Sequence, residues 1–101
     1  MKTIVVRYET KPECAEENKQ LIEKVFAELA EMKPAGFSYA SFQLEDGVTF
    51  VHVANESDDD GNSLADVPAF KNFVFNVGDR CAIGPVAMSA NIVGSYQFFG
   101  D

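Results

Sequence analysis

One histidine lies within an apolar stretch, and it is the residue best suited to acid–base chemistry in this sequence. His52 alternates with Val48, Phe50 and Ala54 at two-residue spacing, so the four side chains share one face of a predicted strand. A neutral imidazole in such surroundings can act as a general base or orient a phenol, because its ordinary pKa is about 6.5. The alternative is a structural histidine that is hydrogen-bonded within the core or in a subunit interface. No second histidine, cysteine or carboxylate stands beside it in sequence to form a catalytic pair.

Arg7 and the tyrosines are further polar side chains on predicted strands. Arg7 interrupts an apolar face, where it either binds an anionic substrate oxygen or forms an interface salt bridge. Tyr8 points to the opposite face, so at most one of the two lines a given cavity. Tyr39 and Tyr96 bring hydroxyl groups to half-buried strands, where each either hydrogen-bonds a ligand or anchors the interface. The catalytic candidates are therefore His52, Arg7 and Tyr39.

A group of phenylalanines can form the wall of a flat apolar pocket for an aromatic ligand. The group comprises Phe26, Phe42, Phe50, Phe70, Phe73 and Phe75. Aromatic residues at helical spacing are more often part of a core, and this alternative stays open. The predicted substrate-binding residues are Phe50, Phe70, Phe73 and Tyr96.

The elements that position these residues begin with a strand and a long helix. Residues 3–10 predict the first strand, and Pro12 ends it because proline supplies no amide hydrogen for a ladder. A helix is predicted from about Glu13 to Met32, since apolar residues recur there at three- and four-residue spacing. Lys33-Pro34-Ala35-Gly36 contains the breakers that end it.

A hairpin and a polar loop follow. Residues 37–44 and 48–55 predict two strands joined by a tight turn at Asp46 and Gly47. The polar run 56–63 predicts a solvated loop. Its alternating acids resemble the start of a calcium loop, but Val67 stands where a bidentate glutamate is needed. We therefore predict no metal site.

A second helix is predicted to have Val67-Pro68 at its start, with Asp66 as its N-cap, and to continue to about Cys81. Asp79 and Arg80 at its end suit compensation of the helix dipole and ion pairing.

The last predicted strand runs from Val86 to about Phe99, with a bulge or bend at Gly94.

The resulting βαββαβ order is the ferredoxin-like α+β pattern for a single domain over residues 1–101, with a four-stranded antiparallel sheet and both helices on one face. The strands are apolar on both faces, so the second face needs a cover. We predict a homodimer packed sheet to sheet as a closed α/β barrel.

Composition excludes several functional classes. The net charge of −8 repels a phosphate backbone, which excludes nucleic acid as a partner. No apolar run reaches the roughly 20 residues of a membrane span, and the N-terminus lacks a signal-peptide pattern, so we predict a cytoplasmic location and no membrane partner. Cys14 and Cys81 lie far apart in sequence and are predicted to be reduced, mostly buried thiols.

Four stretches of the sequence resemble the dimeric α/β-barrel superfamily. They are residues 3–8 with Lys11-Pro12, the hairpin 44–52, the helix opening 67–70 with Phe73, and the closing residues 93–96. Within the superfamily the chain is similar to the antibiotic biosynthesis monooxygenase-like proteins. The superfamily includes cofactor-free quinone-forming monooxygenases, haem-degrading enzymes and members without known activity.

The resemblance also disfavours one of the reactions that members of the superfamily catalyse. Haem-degrading members resemble one another in an asparagine on the first strand, a tryptophan, and a haem-ligating histidine near the second helix. Here the first strand carries Arg7, tryptophan is absent and His52 lies on a strand, so haem degradation is disfavoured. The quinone-forming members also tend to use a tryptophan, which this sequence lacks.

The resemblance implies a homodimeric, cofactor-free monooxygenase-like protein that binds a small apolar or phenolic compound, with His52 as base and Arg7 or Tyr39 near the oxyanion. The alternative is a non-catalytic ligand-binding or stress-associated dimer.

Overall fold

The computed structural model describes residues 2–34, 36–56 and 64–98, which form a four-stranded antiparallel sheet with helices packed on one face. The strands are β1 Lys2–Thr10, β2 Phe37–Gln43, β3 Thr49–Glu56 and β4 Cys81–Ala90. The helices are α1 Ala15–Met32, α2 Pro68–Phe75 and α3 Val77–Arg80, with 3₁₀ turns at Pro12–Cys14 and Leu64–Asp66. The strand order β2-β3-β1-β4 confirms the predicted ferredoxin-like fold.

The strand register decides which side chains face the helices. His52 lies opposite Val6 of β1 and Ser41 of β2, and Tyr8 lies opposite Phe50. Directly paired residues of antiparallel strands point to the same side of the sheet, so these five side chains face the helices together. The residues that alternate with these along each strand point to the opposite side of the sheet, which we call the open face.

The core lies between the helices and the sheet. Its buried apolar members are Tyr8, Ile22, Val25, Phe50, Leu64, Val67 and Phe73. The helix α1 contributes Ile22 and Val25, which share the apolar stripe expected from the sequence, and also the fully buried Asn18.

The hairpin between β2 and β3 forms as predicted. The backbone of Gly47 has a φ of +79°, which glycine adopts without steric cost. The carboxylate of Asp46 accepts the N–H groups of Val48 and Thr49 at 2.9 and 2.8 Å, and hydrogen bonding to Thr49 holds its pKa below the ordinary value. The turn thereby fixes the register that places Ser41 opposite His52.

The second helix differs from its prediction at both ends. The N-cap of α2 is Val67 rather than Asp66, which lies in the preceding 3₁₀ turn. Glu28 of α1 supplies the missing acceptor, since its Oε1 takes the N–H of Ala69 at 3.1 Å. The helix also breaks at Asn76, where φ is −121°, instead of continuing to Cys81.

The last strand begins and ends earlier than predicted. The strand β4 spans Cys81–Ala90, whereas the sequence predicted Val86 to about Phe99. Gly84 and Pro85 therefore lie inside the strand. Proline is tolerated there because β4 is an edge strand and its pairing with β1 shifts register at this point.

The open face carries exposed apolar side chains, and none of the helices in the described part of the chain packs on it. On β4 these are Ile83, Val86 and Met88. Residues 91–98 follow the strand and add exposed Ile92, Val93, Tyr96 and Phe98. This is the surface for which the sequence predicts a second protomer, and the assembly stays a prediction.

Three other predictions concern the cysteines, the loop at residues 56–63 and membrane-spanning helices. Both cysteines are free, as predicted, but half-buried rather than buried. The predicted loop 56–63 lies outside the described residues apart from Glu56, which ends β3. None of the helices in the described part of the chain has the length and hydropathy of a membrane span.

Candidate active site

His52 is hydrogen-bonded at both ring nitrogens. Its Nε2 lies 2.8 Å from the Tyr8 hydroxyl oxygen, while Nδ1 lies 2.7 Å from both Tyr39 Oη and Ser41 Oγ. The register described above explains this arrangement, because β3 lies between β1 and β2 and brings one tyrosine to each side of the imidazole. The site is therefore built on strands, which hold its geometry more rigidly than loops do.

A second layer of polar residues lies behind Tyr8. Asn18 of α1 donates from Nδ2 to the Tyr8 hydroxyl at 2.8 Å. Arg80 donates from Nε to Asn18 Oδ1 at 3.0 Å and from Nη2 to the Phe73 carbonyl at 2.7 Å. Among the described residues, no buried side-chain nitrogen or oxygen lacks a hydrogen-bond partner, so the polar core is internally satisfied.

Aromatic rings surround the imidazole. Tyr8 and Tyr39 stack against it with centroid distances of 5.3 and 5.8 Å, and Phe73 packs at 5.4 Å. Phe26 stacks on Tyr39 at 5.1 Å, and Phe70 meets the same ring edge-on at 6.0 Å. Such contacts fix the plane of each ring and so the direction of each hydrogen bond.

Burial keeps the site uncharged at neutral pH. It lowers the pKa of His52 to about 4, because the imidazolium loses its hydration in the core. Burial likewise raises the pKa of Tyr39 to about 12 and raises the pKa of Tyr8 above its ordinary value. A neutral imidazole between two neutral phenols can exchange protons with a ligand but does not attract ions.

A cavity of about 320 Å³ opens over this cluster. The polar groups Tyr8, Tyr39 and His52 form part of its floor. Its apolar lining consists of Ile4, Val6, Ala54, Leu64, Ala65, Phe70, Phe73, Val74, Val77 and Pro85. Glu56 is the charged residue among the described residues that line the cavity, and it also accepts the Leu64 N–H at 3.3 Å. The volume falls at the lower end of small-molecule sites, about 300–1,000 Å³, and its lining is typical of them.

The predicted site residues divide into two groups. His52, Tyr39, Phe70 and Phe73 line one cavity, and Phe50 lies beneath it, stacked on Tyr8 at 5.6 Å. Arg7 and Tyr96 do not line the cavity.

Arg7 and Tyr96 lie away from His52 for reasons of geometry. Arg7 is paired with Val51 on the open face and is exposed, as its position next to Tyr8 requires. Tyr96 lies in the segment after β4 and is 85% exposed. Phe75, from the predicted pocket wall, is 80% exposed at the end of α2.

The sequence analysis left four members of the polar cluster out of the candidate site: Tyr8, which was set against Arg7 on the opposite face, and Asn18, Ser41 and Arg80. The prediction that Arg80 serves ion pairing and dipole compensation is wrong, because the side chain is 5% exposed and is bonded to Asn18 and Phe73 in the core. Asn18 had a signal, since it lies one helical turn before Ile22 on the apolar stripe of α1. Ser41 also had one, because a turn at Asp46 and Gly47 places it opposite His52.

No group of three or more metal-ligating side chains occurs among residues 2–34, 36–56 and 64–98. Apart from the Glu56 carboxylate, the polar groups of the cavity are two phenols and an imidazole that is hydrogen-bonded at both nitrogens.

No protein-family model matches the chain, and no curated protein sequence matches it. Solved structures do match. An antibiotic biosynthesis monooxygenase superposes with a TM-score of 0.69 at 16% identity, over 93% of this chain and 100% of that one. The fold is that of the antibiotic biosynthesis monooxygenases. The resemblance expected from the sequence is thus confirmed for the architecture.

Two other structures share this fold. SnoaB from Streptomyces nogalater, a cofactor-independent oxygenase studied as a mutant, superposes with a TM-score of 0.66 at 15% identity, over 93% of this chain and 94% of that one. A dimeric ferredoxin-like protein of unknown function from Thermobifida fusca gives 0.55 at 16% identity, over 91% and 92%. At such identities the likeness to the monooxygenases establishes the fold, and function has to be argued from the site.

Proposed function

We propose that the protein is a homodimeric, cofactor-free, monooxygenase-like protein that binds a small, apolar, phenolic compound in the cavity over His52. The observation that carries the proposal is the cavity itself, in which an imidazole and two phenol groups face a lining that is apolar apart from Glu56. A core filled by phenylalanine would have left no room for a ligand. SnoaB, which has the same fold, is a cofactor-independent oxygenase, and this supports the class of chemistry.

The cavity suits a neutral aromatic compound with one or two oxygen substituents. Its apolar walls favour flat hydrocarbon surface, and Phe70 and Phe73 offer ring contacts. The Glu56 carboxylate lies at the lining and disfavours an anionic ligand. The hydroxyl groups of Tyr39 and Tyr8 then orient the ligand oxygen.

In the proposed reaction the substrate itself supplies the electrons. For an anthrone, the ring CH₂ group becomes a carbonyl with one atom of O₂, and the other oxygen atom leaves as water with the two hydrogens. The protein needs to remove a proton, stabilise the resulting oxyanion and exclude water. In the proposal His52 is the ultimate proton acceptor, and Tyr39 donates a hydrogen bond to the oxyanion.

The homodimer is proposed from the open face. Exposed Ile83, Val86 and Met88 form an apolar strand surface of the kind that marks an interaction site. A second copy stacked on this face would cover it with an isologous contact. The dimeric ferredoxin-like protein from Thermobifida fusca has the same fold, which supports this arrangement. The cytoplasmic location stays a prediction.

A second candidate function is supported by a specific observation. Both ring nitrogens of His52 are already bonded to protein groups, as in a structural histidine. A dimer that binds a ligand without turning it over needs nothing more from this residue.

Oxygen uptake tests the proposal and separates the two candidates. The protein is incubated with a panel of hydroquinones and anthrones, and O₂ consumption is followed with an electrode. We expect at least one compound to be oxidised by the unmodified protein, with the rate reduced roughly 100-fold or more in H52A, in keeping with the roughly 10²–10⁴-fold of acid–base catalysis. K24Q, at an exposed position of α1, is the control and keeps the rate. Binding without O₂ uptake above the H52A rate would reject the enzyme and favour the second candidate.

A further inference from the structure

The buried polar residues behind the cavity form a single hydrogen-bond chain from α3 to β3. It runs from Arg80 through Asn18 and Tyr8 to His52. All four side chains are almost inaccessible, with exposures of 5%, 0%, 2% and 5%. A buried chain of this kind has a direction, because each hydrogen-bond proton belongs to one partner.

The direction is set at Arg80. A guanidinium group only donates, so the Asn18 atom that it contacts at 3.0 Å must be the amide oxygen. A second donation, from Nη2 to the Phe73 carbonyl at 2.7 Å, holds the guanidinium in place. The NH₂ group of Asn18 therefore points to Tyr8, 2.8 Å away.

Tyr8 transmits this direction to the imidazole. Its hydroxyl oxygen accepts from Asn18, and its single proton needs an acceptor of its own. Among the described residues, the acceptor bonded to this hydroxyl is Nε2 of His52. If Nε2 carried a proton instead, the Tyr8 proton would be left unpaired in the core, which is the costly arrangement for a buried polar group.

We propose that Arg80 and Asn18 are positioning residues that hold His52 in the tautomer with its proton on Nδ1 and with Nε2 as the acceptor. On the Nδ1 side, Tyr39 Oη and Ser41 Oγ both lie 2.7 Å away and accept that proton. The stacked tyrosines keep the ring from turning out of this arrangement.

The tautomer has a consequence for the ligand, and this part rests on the proposed function. Tyr39 does not use its own proton on His52, so it can donate that proton in a hydrogen bond to a ligand oxygen. A hydroxyl proton of the ligand passes to the Tyr8 oxygen as the Tyr8 proton moves to Nε2 of His52. The products are a ligand oxyanion and an imidazolium, and no other group changes its proton count.

Nitrogen-15 NMR of the histidine ring tests the tautomer directly. The sequence has one histidine, so the two ring signals are assigned without ambiguity. At pH 7 we expect the proton on Nδ1 in the unmodified protein. In N18D a carboxylate of the same shape accepts from both Arg80 and Tyr8, which turns the Tyr8 proton away from His52. We expect the His52 proton to move to Nε2 in this variant.

The control is N72D, which adds the same charge at an exposed position of α2 and leaves the tautomer unchanged. If N18D does not fold, R80M replaces it: Asn18 then loses its fixed direction, and we expect a mixture of both tautomers. A proton on Nε2 in the unmodified protein would overturn the proposal, as would an unchanged Nδ1 proton in N18D or R80M. These spectra need no ligand, so their failure is distinguishable from failure of the oxygen-uptake assay.

Discussion

The hydroxyl oxygen of Tyr8 lies 2.8 Å from Nε2 of His52, and the two rings stack with their centroids 5.3 Å apart. The pair joins neighbouring strands at the centre of the core, directly beneath the cavity. One contact therefore serves both the packing of the sheet and the polar floor of the proposed site. Its removal should change stability as well as chemistry.

Replacing Tyr8 with phenylalanine keeps the ring and removes the hydroxyl. His52 and Asn18 each lose a partner in the core. We expect a loss of about 1–3 kcal/mol in the free energy of unfolding, measured by urea denaturation. Y96F removes a hydroxyl from a tyrosine that is 85% exposed and should change stability far less. Equal effects of the two variants would contradict the structural role given to Tyr8.

Stability should depend on pH through His52. Its pKa falls from about 6.5 in the unfolded chain to about 4 in the folded protein, so the folded state binds fewer protons between these values. The stabilisation is complete above pH 6.5 and is lost as the pH falls toward 4, by on the order of 3 kcal/mol. Comparing denaturation of the unmodified protein and H52Q at pH 7 and pH 4.5 isolates this contribution, because other groups titrate in both proteins. A difference between the two proteins that does not change with pH would contradict it.

At alkaline pH, the dependence of stability on pH has the opposite sign. Burial raises the pKa of Tyr39 to about 12 and that of Tyr8 above its ordinary value. The unfolded tyrosines ionise near pH 10, so stability is lost as the pH rises through that value. Ultraviolet absorbance at increasing pH should show that the phenolate signals of Tyr8 and Tyr39 appear only with unfolding. Their ionisation near pH 10 in the folded protein would show that the phenols are hydrated.

Glu28 should stabilise the start of α2. Its carboxylate accepts the Ala69 N–H, in place of the side-chain cap that Val67 does not supply. We expect E28A to lose about 1 kcal/mol, as for other helix caps. E31A, at an exposed position of the same helix, is the matched control. Thermal denaturation that ranked E31A below E28A would contradict this capping role.

Much of the fold was predictable because it depends on local patterns. Strand alternation, the helical stripe of α1 and the turn at Asp46 and Gly47 fix element order and register without tertiary information. His52 was predicted as a functional residue because it lies within an apolar strand face, and Tyr39 because it brings a hydroxyl group to a half-buried strand.

The remainder depends on contacts between elements that are distant in sequence. Arg80 is buried because the chain turns at Asn76 and places the guanidinium against Asn18, 62 residues earlier. No sequence period signals such a contact. The early start of β4 is similar, because Pro85 is acceptable only at a register shift on an edge strand.

The proposed dimer predicts different effects for substitutions at two neighbouring valines. Val5 pairs with Val53 and Met88 on the open face, whereas Val6 pairs with His52 and faces the helices. We expect V5E to dissociate the dimer, whose interface should bury on the order of 2,000 Å² or more. V6E should instead destabilise the core of each protomer. A stable monomer of the unmodified protein in sedimentation at micromolar concentration would contradict the dimer.

Ligand titration monitored by NMR at the His52 ring and the Tyr39 ring tests the cavity most directly. The same hydroquinones and anthrones are added to the unmodified protein and to A54L, which adds side-chain volume within the cavity lining. We predict that at least one compound shifts the His52 and Tyr39 signals in a saturable manner, and that A54L weakens this binding at least tenfold. If no compound shifts these signals, or if A54L binds as well as the unmodified protein, the cavity over His52 is not the binding site.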